Sequence, residues 1–471
     1  MENIEIQYIS TSTIHPANEC GNHRNQRIEL TVWDLMLLPH QYMQRGLVYY
    51  YPKEQERDQE TKCMAMIISH LKTSLSRTLD HFFPFAGRLA TTKHSDDMNS
   101  DGNTTFTSVY IDCNSSGVEF VHAVADVTVS DIVTPNYIPH TVRSFFTLKG
   151  VMNYEGQSQP LLSIQVTELI DGIFIGCSIN HSVCDGSSFW HFFNSWSEIS
   201  RGGASSDNYI SCPPVLKRWF LENTDYPIRL PFSIDDKHFV EKYRYTTPPS
   251  FEVRIFHFTP EYIAKLKEKA NSISDEESHT DKIVLSSFQA LLAHVWIAVT
   301  RARRLDPEEM TSYQLVIGNR ARLNPPLPNN YFGNSFLVGE ATTKVSDLLE
   351  RGIRWGALLL KKVVMSYDDA KIRSYCDAWM DKPELLALND KVSANTLMTG
   401  GSPRFNMYGN NFGWGDPVVV RGGISNKRPG EITAIPGSVQ GSVDLEVYHS
   451  LKTLKAMGDD VEFIDVQKSS R

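Results

Sequence analysis

The sequence predicts an α/β protein in which mixed β-sheets are flanked by helices. Segments whose polar and apolar residues alternate are interspersed with longer segments whose apolar residues recur every three or four positions, as strands and amphipathic helices require. The chain lacks the regular strand–helix–strand alternation of a doubly wound parallel sheet. We therefore expect sheets that combine parallel and antiparallel strands.

The first half opens with a predicted helix over residues 61–79. Its apolar residues are spaced by three and four positions and so share one face. Pro84 and Gly87 are expected to end this element, and residues 106–111 are predicted to form a strand. The helical face consists of Met64, Ile67, Ile68, Leu71, Leu75 and Leu79.

The clearest local feature is a β-hairpin followed by a helix. Residues 163–167 and 173–179 alternate in polarity. Asp171-Gly172 between them is a favoured pair for a two-residue turn in which both central positions have positive φ. The period changes after Asp185-Gly186, so His181 lies on a strand-to-helix connection. The helical stripe that follows consists of Phe189, Phe192, Phe193, Trp196 and Ile199.

The second half repeats this mixture of helices and strands. A helical stripe follows Ser287, and residues 313–317 are predicted to form a strand. Turn-forming residues and prolines concentrate between residues 201 and 237, which predicts a long crossover between the halves. The polar segment 93–105 is expected to be a surface loop. The second stripe consists of Phe288, Leu291, Leu292, Val295 and Trp296.

Composition excludes several classes of function. The chain has 471 residues, enough for two or three domains of ordinary size. Its formal net charge of -9 argues against a binder of nucleic acids or membrane surfaces, and no apolar run approaches the roughly 20 residues that cross a bilayer. The first residues do not resemble a signal peptide, and seven cysteines without close pairing fit reduced thiols. We expect a cytoplasmic protein.

His181 is the first candidate for catalysis, because a neutral imidazole accepts a proton at about pH 7. Its spacing from Asp185 does not decide the matter, since an ordinary hydrogen-bonded histidine can also end a strand. Asp185 can equally be the N-cap of the next helix. Cys177, Cys184 and His191 lie nearby, but they do not form a two-pair zinc pattern, so no metal is predicted.

A second segment near the other end completes a recognisable pattern. Residues 411–415 read Asn-Phe-Gly-Trp-Gly, in which two glycines around a tryptophan predict a tightly bent backbone. Together with His-Ser-Val-Cys-Asp-Gly at 181–186, this segment resembles the plant BAHD acyltransferases, which carry His-x-x-x-Asp-Gly near the middle and Asp-Phe-Gly-Trp-Gly near the C-terminus. Residues 84–89, 324–328 and 330–334 are similar to further signatures of that family. The resemblance covers nearly the whole chain.

The resemblance implies two domains, each similar to chloramphenicol acetyltransferase, that meet along a solvent channel. The expected boundaries are 1–205 for the N-terminal domain, 206–240 for a crossover linker and 241–471 for the C-terminal domain. A segment near 365–410 is expected to pack with the N-terminal domain. The resemblance also implies acyl-CoA as co-substrate, a small-molecule acceptor and no metal. A monomer is expected, because both halves of the channel come from one chain.

Carried over residue by residue, the resemblance makes His181 the general base, which deprotonates an acceptor hydroxyl or amine before direct attack on the thioester. Asp185 is expected to point away and to pair with Arg320, with Arg322 as the second candidate. Tyr49 is expected to line the acceptor pocket. Gly186 and Trp414 are expected to support the site, and the residues expected on the CoA side are Lys282, Ser286, Ser287, Asn411, Phe412 and Gly413.

The chain departs from the family pattern in three places. Asn411 stands where most members have aspartate, so a local ion pair is expected to be missing. Ser335 replaces a cysteine that often follows the Tyr-Phe-Gly-Asn signature, and residues 402–408 differ from the common version.

Two other interpretations stay open. The chain can be a repurposed scaffold, either a lyase on a small acid conjugate or a non-catalytic binding protein. The other interpretation is a peptide-condensation domain, which has a related fold and a histidine doublet before the same Asp-Gly. Asn180 occupies the first position of that doublet here, which argues against this interpretation. The acyl donor, the acceptor and the choice between O- and N-acylation are left open by the sequence.

Overall fold

The computed structural model describes residues 6–18, 26–51, 60–95, 105–202, 210–243, 250–272, 283–385 and 394–464. Its strands form two six-stranded sheets and one three-stranded sheet within these residues. Both large sheets are mixed, and helices pack beside them. The predicted fold class is confirmed.

The first large sheet carries the hairpin that leads to His181. Its strands β6 and β7 run parallel, and its other neighbouring pairs are antiparallel. In spatial order it consists of β1 (Ile6–Ile14), β6 (Val118–Ala125), β7 (Leu162–Glu168), β8 (Gly172–Ile179), β3 (Met43–Tyr50) and β13 (Val419–Gly422).

The second large sheet is built from the C-terminal half. Its pairs β10–β12 and β12–β14 are parallel, and the other neighbouring pairs are antiparallel. In spatial order it consists of β11 (Phe336–Lys344), β10 (Met310–Gly318), β12 (Thr396–Gly401), β14 (Glu431–Pro436), β15 (Val443–His449) and β9 (Glu252–Phe258). The small sheet contains β2 (Arg27–Glu29), β5 (Thr105–Asp112) and β4 (Arg88–Ser95).

The predicted helices are present. The periodic segment 61–79 lies within α2, and the stripes that begin at Phe189 and Phe288 lie on α4 and α7, where most of their members are buried. The α-helices are α1 (Val32–Leu35), α2 (Glu60–Leu79), α3 (Val129–Val133), α4 (Gly186–Gly202), α5 (Lys237–Lys242), α6 (Pro260–Asn271), α7 (Ser287–Arg303), α8 (Val345–Met365), α9 (Asp369–Asp381), α10 (Leu451–Asp459) and α11 (Val461–Ile464). No helix among the described residues is long and apolar enough to cross a membrane.

The hairpin between β7 and β8 is confirmed, but its predicted turn is wrong. The Leu169 amide donates to the Gly172 carbonyl at 2.8 Å, so Ile170 and Asp171 are the central residues. Gly172 belongs to β8, and neither it nor Asp171 has positive φ. A Cβ at Gly172 would come within 2.1 Å of the Tyr49 carbonyl oxygen, so close packing of β3 explains this glycine.

Two loop predictions need comment. The segment 93–105 was expected to be a loop throughout, but β4 continues to Ser95 because it pairs with β5 as far as Thr105. Residues 96–104 lie outside the described part of the chain. Residues 210–236 contain neither helix nor regular strand, and α5 follows them.

Chain halves and sheets do not correspond simply. Strand β13 from the C-terminal half hydrogen-bonds to β3 in the first sheet. Ile372, Cys376 and Trp379 of α9 pack in the hydrophobic cluster that also contains α2 and α4. The domain boundaries given above stay a prediction.

Candidate active site

A cavity of about 1640 Å³ opens beside the end of β8. Its walls combine residues of the first sheet region, such as His40 and His181, with residues of the second sheet, such as Gln314, Phe336 and Met398. A pocket of this size can hold a drug-sized ligand with room to spare. His181 therefore stands where two separate parts of the chain face a common space.

The strand-to-helix turn is fixed by Asn180, the residue that precedes His181. Asn180 is fully buried, and its side-chain Nδ2 donates to the Asn153 carbonyl at 2.8 Å. Its side-chain oxygen accepts from the Ser182 amide at 3.0 Å. Both polar ends of the side chain are thus satisfied in folding the turn.

The peptide groups of His181 are held from two sides. The His181 amide donates to Asn153 Oδ1 at 2.8 Å, and the His181 carbonyl accepts from Asn334 Nδ2 at 2.7 Å. Asn153 and Asn334 are fully buried. Because these partners come from distant parts of the chain, they fix the direction in which the imidazole leaves the backbone.

The His181 ring is held in its neutral form near neutral pH. Burial lowers its pKa below 6.5, although the carbonyls of His181 and Cys184 and the Asp185 charge act in the opposite direction. Its Nδ1 is buried, so Nε2 is the nitrogen that can meet a molecule in the cavity. Phe336 lies on one side, with ring centroids 6.0 Å apart.

His40 is a second histidine in the same cavity wall. Burial, together with the nearby His181 and Arg428, lowers its pKa to about 3. His40 is therefore neutral at any pH at which the protein would be assayed. The sequence argument did not single out this residue.

Asp185 points away from the His181 ring and into an ion pair. Arg320 Nη1 and Nη2 donate to its two oxygens at 2.6 and 2.9 Å, and the amides of Ser188 and Ser335 donate at 3.0 and 3.1 Å. Burial by itself would raise the pKa of Asp185, but Arg320 and these amides hold it below its ordinary value. Asp185 is also the N-terminal cap of α4. Its carboxylate accepts from the Ser188 amide, and its backbone carbonyl accepts from the Phe189 amide at 2.8 Å.

Of the two arginine candidates, Arg320 makes this pair and Arg322 does not. Arg322 Nη1 donates to the carbonyls of Val364 and Tyr367 at 3.0 and 2.7 Å, at the C-terminal end of α8. Arg322 thus satisfies carbonyls that a helix end leaves unpaired.

A second buried ion pair lies on the other side of the His181 loop. Arg218 and Asp34 are 3.8 Å apart at their nearest charged atoms. Arg218 also donates to the carbonyls of Phe332 and Val183, while Asp34 accepts from the Asn334 amide and side chain. The two pairs therefore clamp residues 331–335 against the loop 181–185.

The Asn-Phe-Gly-Trp-Gly turn packs behind the site rather than in the cavity. Asn411 Oδ1 accepts from the amides of Gly413 and Gly415 at 2.8 and 3.3 Å. Both glycines have positive φ, of 112° and 115°, as the sequence predicted for a tight bend. Phe412 is buried and meets Trp196 edge-on at 4.8 Å.

Asn411, which is uncharged where most family members have aspartate, has hydrogen-bond partners nearby. Its side-chain nitrogen donates to Asp416 Oδ1 at 3.2 Å, and its carbonyl accepts from Arg201 Nη1 at 2.6 Å. An aspartate here would place two carboxylates side by side, which explains why the amide suits this sequence.

Several residues that were expected to contact ligands do not lie on the described cavity wall. Tyr49 does not line the cavity: it is 1% exposed, and its hydroxyl donates to the Asn410 carbonyl at 2.7 Å. Phe412 is also buried, and the Asn411 side chain binds amides within its own turn. Asn411, Phe412 and Gly413 are all absent from the cavity wall. Trp414 stacks on Phe412 and meets Tyr49 edge-on, and Gly186 lines the cavity beside the Phe405 ring.

The remaining CoA-side residues are less directly placed. Ser286 is the N-cap of α7, and its hydroxyl accepts from the Gln289 amide at 3.2 Å. Ser287 begins α7, and the next residue, Phe288, lines the cavity. Lys282 lies outside the described residues.

The cysteines near His181 do not form a ligand set. Burial raises the pKa of Cys177 and of Cys184 well above 9.0, so both thiols stay protonated near neutral pH. Among the described residues, no cluster of three or more His, Cys, Asp or Glu side chains is placed to hold a metal ion.

The roles of four residues that hold the site together were not predicted from the sequence: Asn153, Asn334, Asp34 and Arg218. The place of His40 in the cavity wall was not predicted either. One signal was available. Thr31 and Asp34 stand three residues apart before an apolar run, and they form a capping box in which Asp34 Oδ2 accepts from the Thr31 amide at 2.9 Å. Nothing in that spacing indicates that the other oxygen of Asp34 binds Asn334.

Comparison with known proteins gives consistent results. The family model described as the Transferase family matches residues 4–464. The chain is 36% identical to a protein of Arabidopsis thaliana named an uncharacterized acetyltransferase, over 98% of this chain and 99% of that protein. It is 32% identical to the BAHD acyltransferase DCR of the same organism, over 98% of this chain and 93% of that protein.

Two solved structures show the fold. Vinorine synthase superposes with a TM-score of 0.68 at 19% identity, covering 98% of each chain. TRI101 of F. sporotrichioides, solved with coenzyme A and T-2, superposes with a TM-score of 0.67 at 19% identity, covering 93% of this chain and 98% of that chain.

Proposed function

Since this chain belongs to the Transferase family, the BAHD acyltransferases, we propose that it moves an acyl group from acyl-CoA to a hydroxyl or amine of a small molecule, with His181 as the general base. The observation that carries the proposal is the neutral, backbone-anchored His181 facing a cavity. The shared fold with TRI101, which was solved with coenzyme A, supports acyl-CoA as the co-substrate.

The proposed steps need no other protein group to carry the acyl chain. Nε2 of His181 takes the proton from the acceptor, whose oxygen or nitrogen attacks the thioester carbonyl carbon. The tetrahedral intermediate then breaks its carbon–sulfur bond, and the departing CoA thiolate accepts from His181 the proton that came from the acceptor. Asp185 takes no proton in this scheme, because its oxygens are occupied by Arg320 and two amides.

Replacement of His181 tests the role of the base. His181→Ala should fold normally and lose at least about 10²-fold in acyl transfer, the usual contribution of a general base. The assay incubates enzyme with a panel of acyl-CoAs and acceptors and measures free CoA thiol. His191→Gln is a matched control, because His191 lies on α4, the helix that follows the His181 loop, but is absent from the cavity wall and binds the Cys212 carbonyl.

The outcomes separate the possible functions. Undiminished turnover by His181→Ala would overturn the assignment of the base. Tight CoA binding without thiol release from any donor would instead favour the binding scaffold. We also expect a monomer, because both halves of the proposed channel come from one chain.

A further inference from the structure

Three basic side chains line one part of the cavity, and we call them the basic wall: Arg45, Lys427 and Arg428. Arg45 lies on β3, and the other two lie on the loop between β13 and β14. The Arg45 Nη1 atom lies beside Gly422, where an added Cβ would be only 3.2 Å from it. The wall therefore combines two separate parts of the chain.

The loop that carries two of these cations is held rigidly. Asn426 Oδ1 accepts from the Gln41 amide at 2.6 Å, and Asn426 Nδ2 donates to the Gln41 carbonyl at 2.7 Å. The Asn426 amide in turn donates to Gln41 Oε1 at 2.9 Å. Because β3 begins two residues after Gln41, these bonds fix the loop relative to Arg45, as a preorganised binding site requires.

The positive charges of the wall are incompletely balanced. Lys427 donates to the Thr433 hydroxyl at 2.9 Å, and Arg45 donates to the Gln44 carbonyl at 2.7 Å. Within the described part of the chain, neither cation has a carboxylate within ion-pair distance, whereas Arg428 pairs with Glu431 at 3.3 Å. Burial and the nearby Arg45 lower the pKa of Lys427 to about 8. Two neighbouring cations in a partly buried place favour an anion beside them.

The carboxylates near the wall do not remove this imbalance. Glu431 is paired with Arg428, and Glu446 accepts from the Gly422 amide and the Tyr448 hydroxyl at 3.1 and 2.9 Å. Both carboxylates act on Lys427 through space, but among the described residues neither lies within ion-pair distance of Lys427 or Arg45. Burial raises the pKa of Glu431, while Lys427 and Arg428 act in the opposite direction.

The basic wall lies a short distance from the proposed base. Cys177 pairs with Arg45 across β3 and β8, and it precedes His181 by four residues, or about 13 Å of extended chain. His40 lines the same cavity and is near both His181 and Arg428, which lower its pKa. A small acid can span this separation. The pantetheine arm of CoA holds its phosphates further from the thioester than that.

We propose that the basic wall is a subsite for a carboxylate, so that the acceptor is a small organic acid whose hydroxyl or amine reaches His181. This inference rests on the proposed function. It adds the chemical class of the acceptor. The carboxylate would receive charge-assisted hydrogen bonds from Arg45 and Lys427, which line the same cavity as His181.

Paired ligands test the subsite without requiring turnover. A library of hydroxy acids whose carboxylate and hydroxyl lie at opposite ends of the molecule, such as 4-hydroxycinnamate and its hydroxylated analogues, is compared with the methyl esters of the same acids by thermal shift and calorimetry. We expect at least one acid to bind about tenfold or more tightly than its ester, as charge-assisted bonds imply. In the Arg45→Gln/Lys427→Gln double variant this preference should disappear, whereas Arg45→Lys should keep part of it. Lys452→Gln, an exposed change on α10, is the control and should keep all of it.

The same variants distinguish the carboxylate from the phosphates of CoA. If the double variant weakens binding of acetyl-CoA but not of acetyl-pantetheine, the wall binds CoA phosphates and the inference is overturned. Equal binding of every acid and its ester by the unmodified protein, or no binding of any acid, overturns it as well. If the carboxylate subsite is disproved, CoA thiol release with neutral alcohols as acceptors would still support the proposed acyl transfer. The proposed function and this inference can therefore fail separately.

Discussion

Two acidic side chains flank His181 among the described residues, and neither forms a hydrogen bond to its ring. Asp185 and Asp34 each have an arginine partner, and each also accepts hydrogen bonds from backbone amides. The bonds of Asp185 therefore shape the loop, and a His–Asp proton relay is not built here. Breaking a buried ion pair by removing one partner costs more than the pair itself contributes, because a charge is left without compensation.

The Asp185–Arg320 pair gives the first stability prediction. Arg320→Gln should lower the free energy of unfolding by about 3–5 kcal/mol, since Asp185 is left buried and unpaired. Adding Asp185→Asn should recover part of that loss, and the double-mutant cycle measures the coupling by urea denaturation. Arg322→Gln is the matched control and should cost about 1–2 kcal/mol, because it removes hydrogen bonds to helix-end carbonyls only. Equal losses of unfolding free energy for Arg320→Gln and Arg322→Gln would contradict the role given to the Asp185–Arg320 ion pair.

At the scale of elements, the site depends on how the segment 331–335 meets the His181 loop. Gly333 has a positive φ of 151°, and an added Cβ would lie 1.7 Å from Arg218 Nη1. Gly413 has a φ of 112° but open space where its Cβ would be. One glycine is thus required by backbone conformation and by packing, and the other by conformation alone.

These glycines predict an order of destabilisation. Gly413→Ala should cost about 1–3 kcal/mol through backbone strain. Gly333→Ala should cost more, about 2–5 kcal/mol, because the clash with Arg218 adds to the strain. Gly318→Ala has ordinary φ and open space, so it should stay within about 0.5 kcal/mol of the unmodified protein. Chemical denaturation of the three variants checks the order, and a larger loss at Gly413 than at Gly333 would show that the packing argument is wrong.

At the scale of the whole molecule, the buried histidines predict how stability depends on pH. Burial lowers the pKa of His294 and of His449 from 6.5 to about 4. The unfolded chain therefore binds more protons than the folded protein between these values, and stability falls as the pH drops below about 6.5. His40, with a pKa of about 3, acts in the same direction.

The pH prediction can be tested on a histidine away from the cavity. Each of these residues should steepen the fall in unfolding free energy by up to about 1.4 kcal/mol per pH unit. His294→Gln should make the fall between about pH 6.5 and 4.5 shallower by that amount, although it also loses the hydrogen bond of His294 to the Tyr262 hydroxyl. Urea titrations at several pH values measure the slope, with the exposed His238→Gln as control. An unchanged slope in His294→Gln would contradict the pKa of His294.

Local sequence patterns predicted most of the elements that carry the site. The stripes of α2, α4 and α7 and the β7–β8 hairpin follow from periodicity, which acts over a few neighbouring residues. The turn at Asp171 was predicted wrongly because Gly172 is set by a contact with Tyr49 more than a hundred positions away. Tyr49 was expected in the acceptor pocket from the family resemblance, and its side chain is buried in this structure.

The sequence by itself determined the fold class, the family and the position of His181 at a strand end. The order of distant motifs carries that information even before any contact is known. Only the tertiary structure decided between Arg320 and Arg322, revealed Asn153 and Asn334 on either side of His181, and brought Arg45 beside Lys427. These are contacts between residues dozens to hundreds of positions apart, and their geometry depends on how the sheets and loops pack, which local periodicity and spacing do not encode.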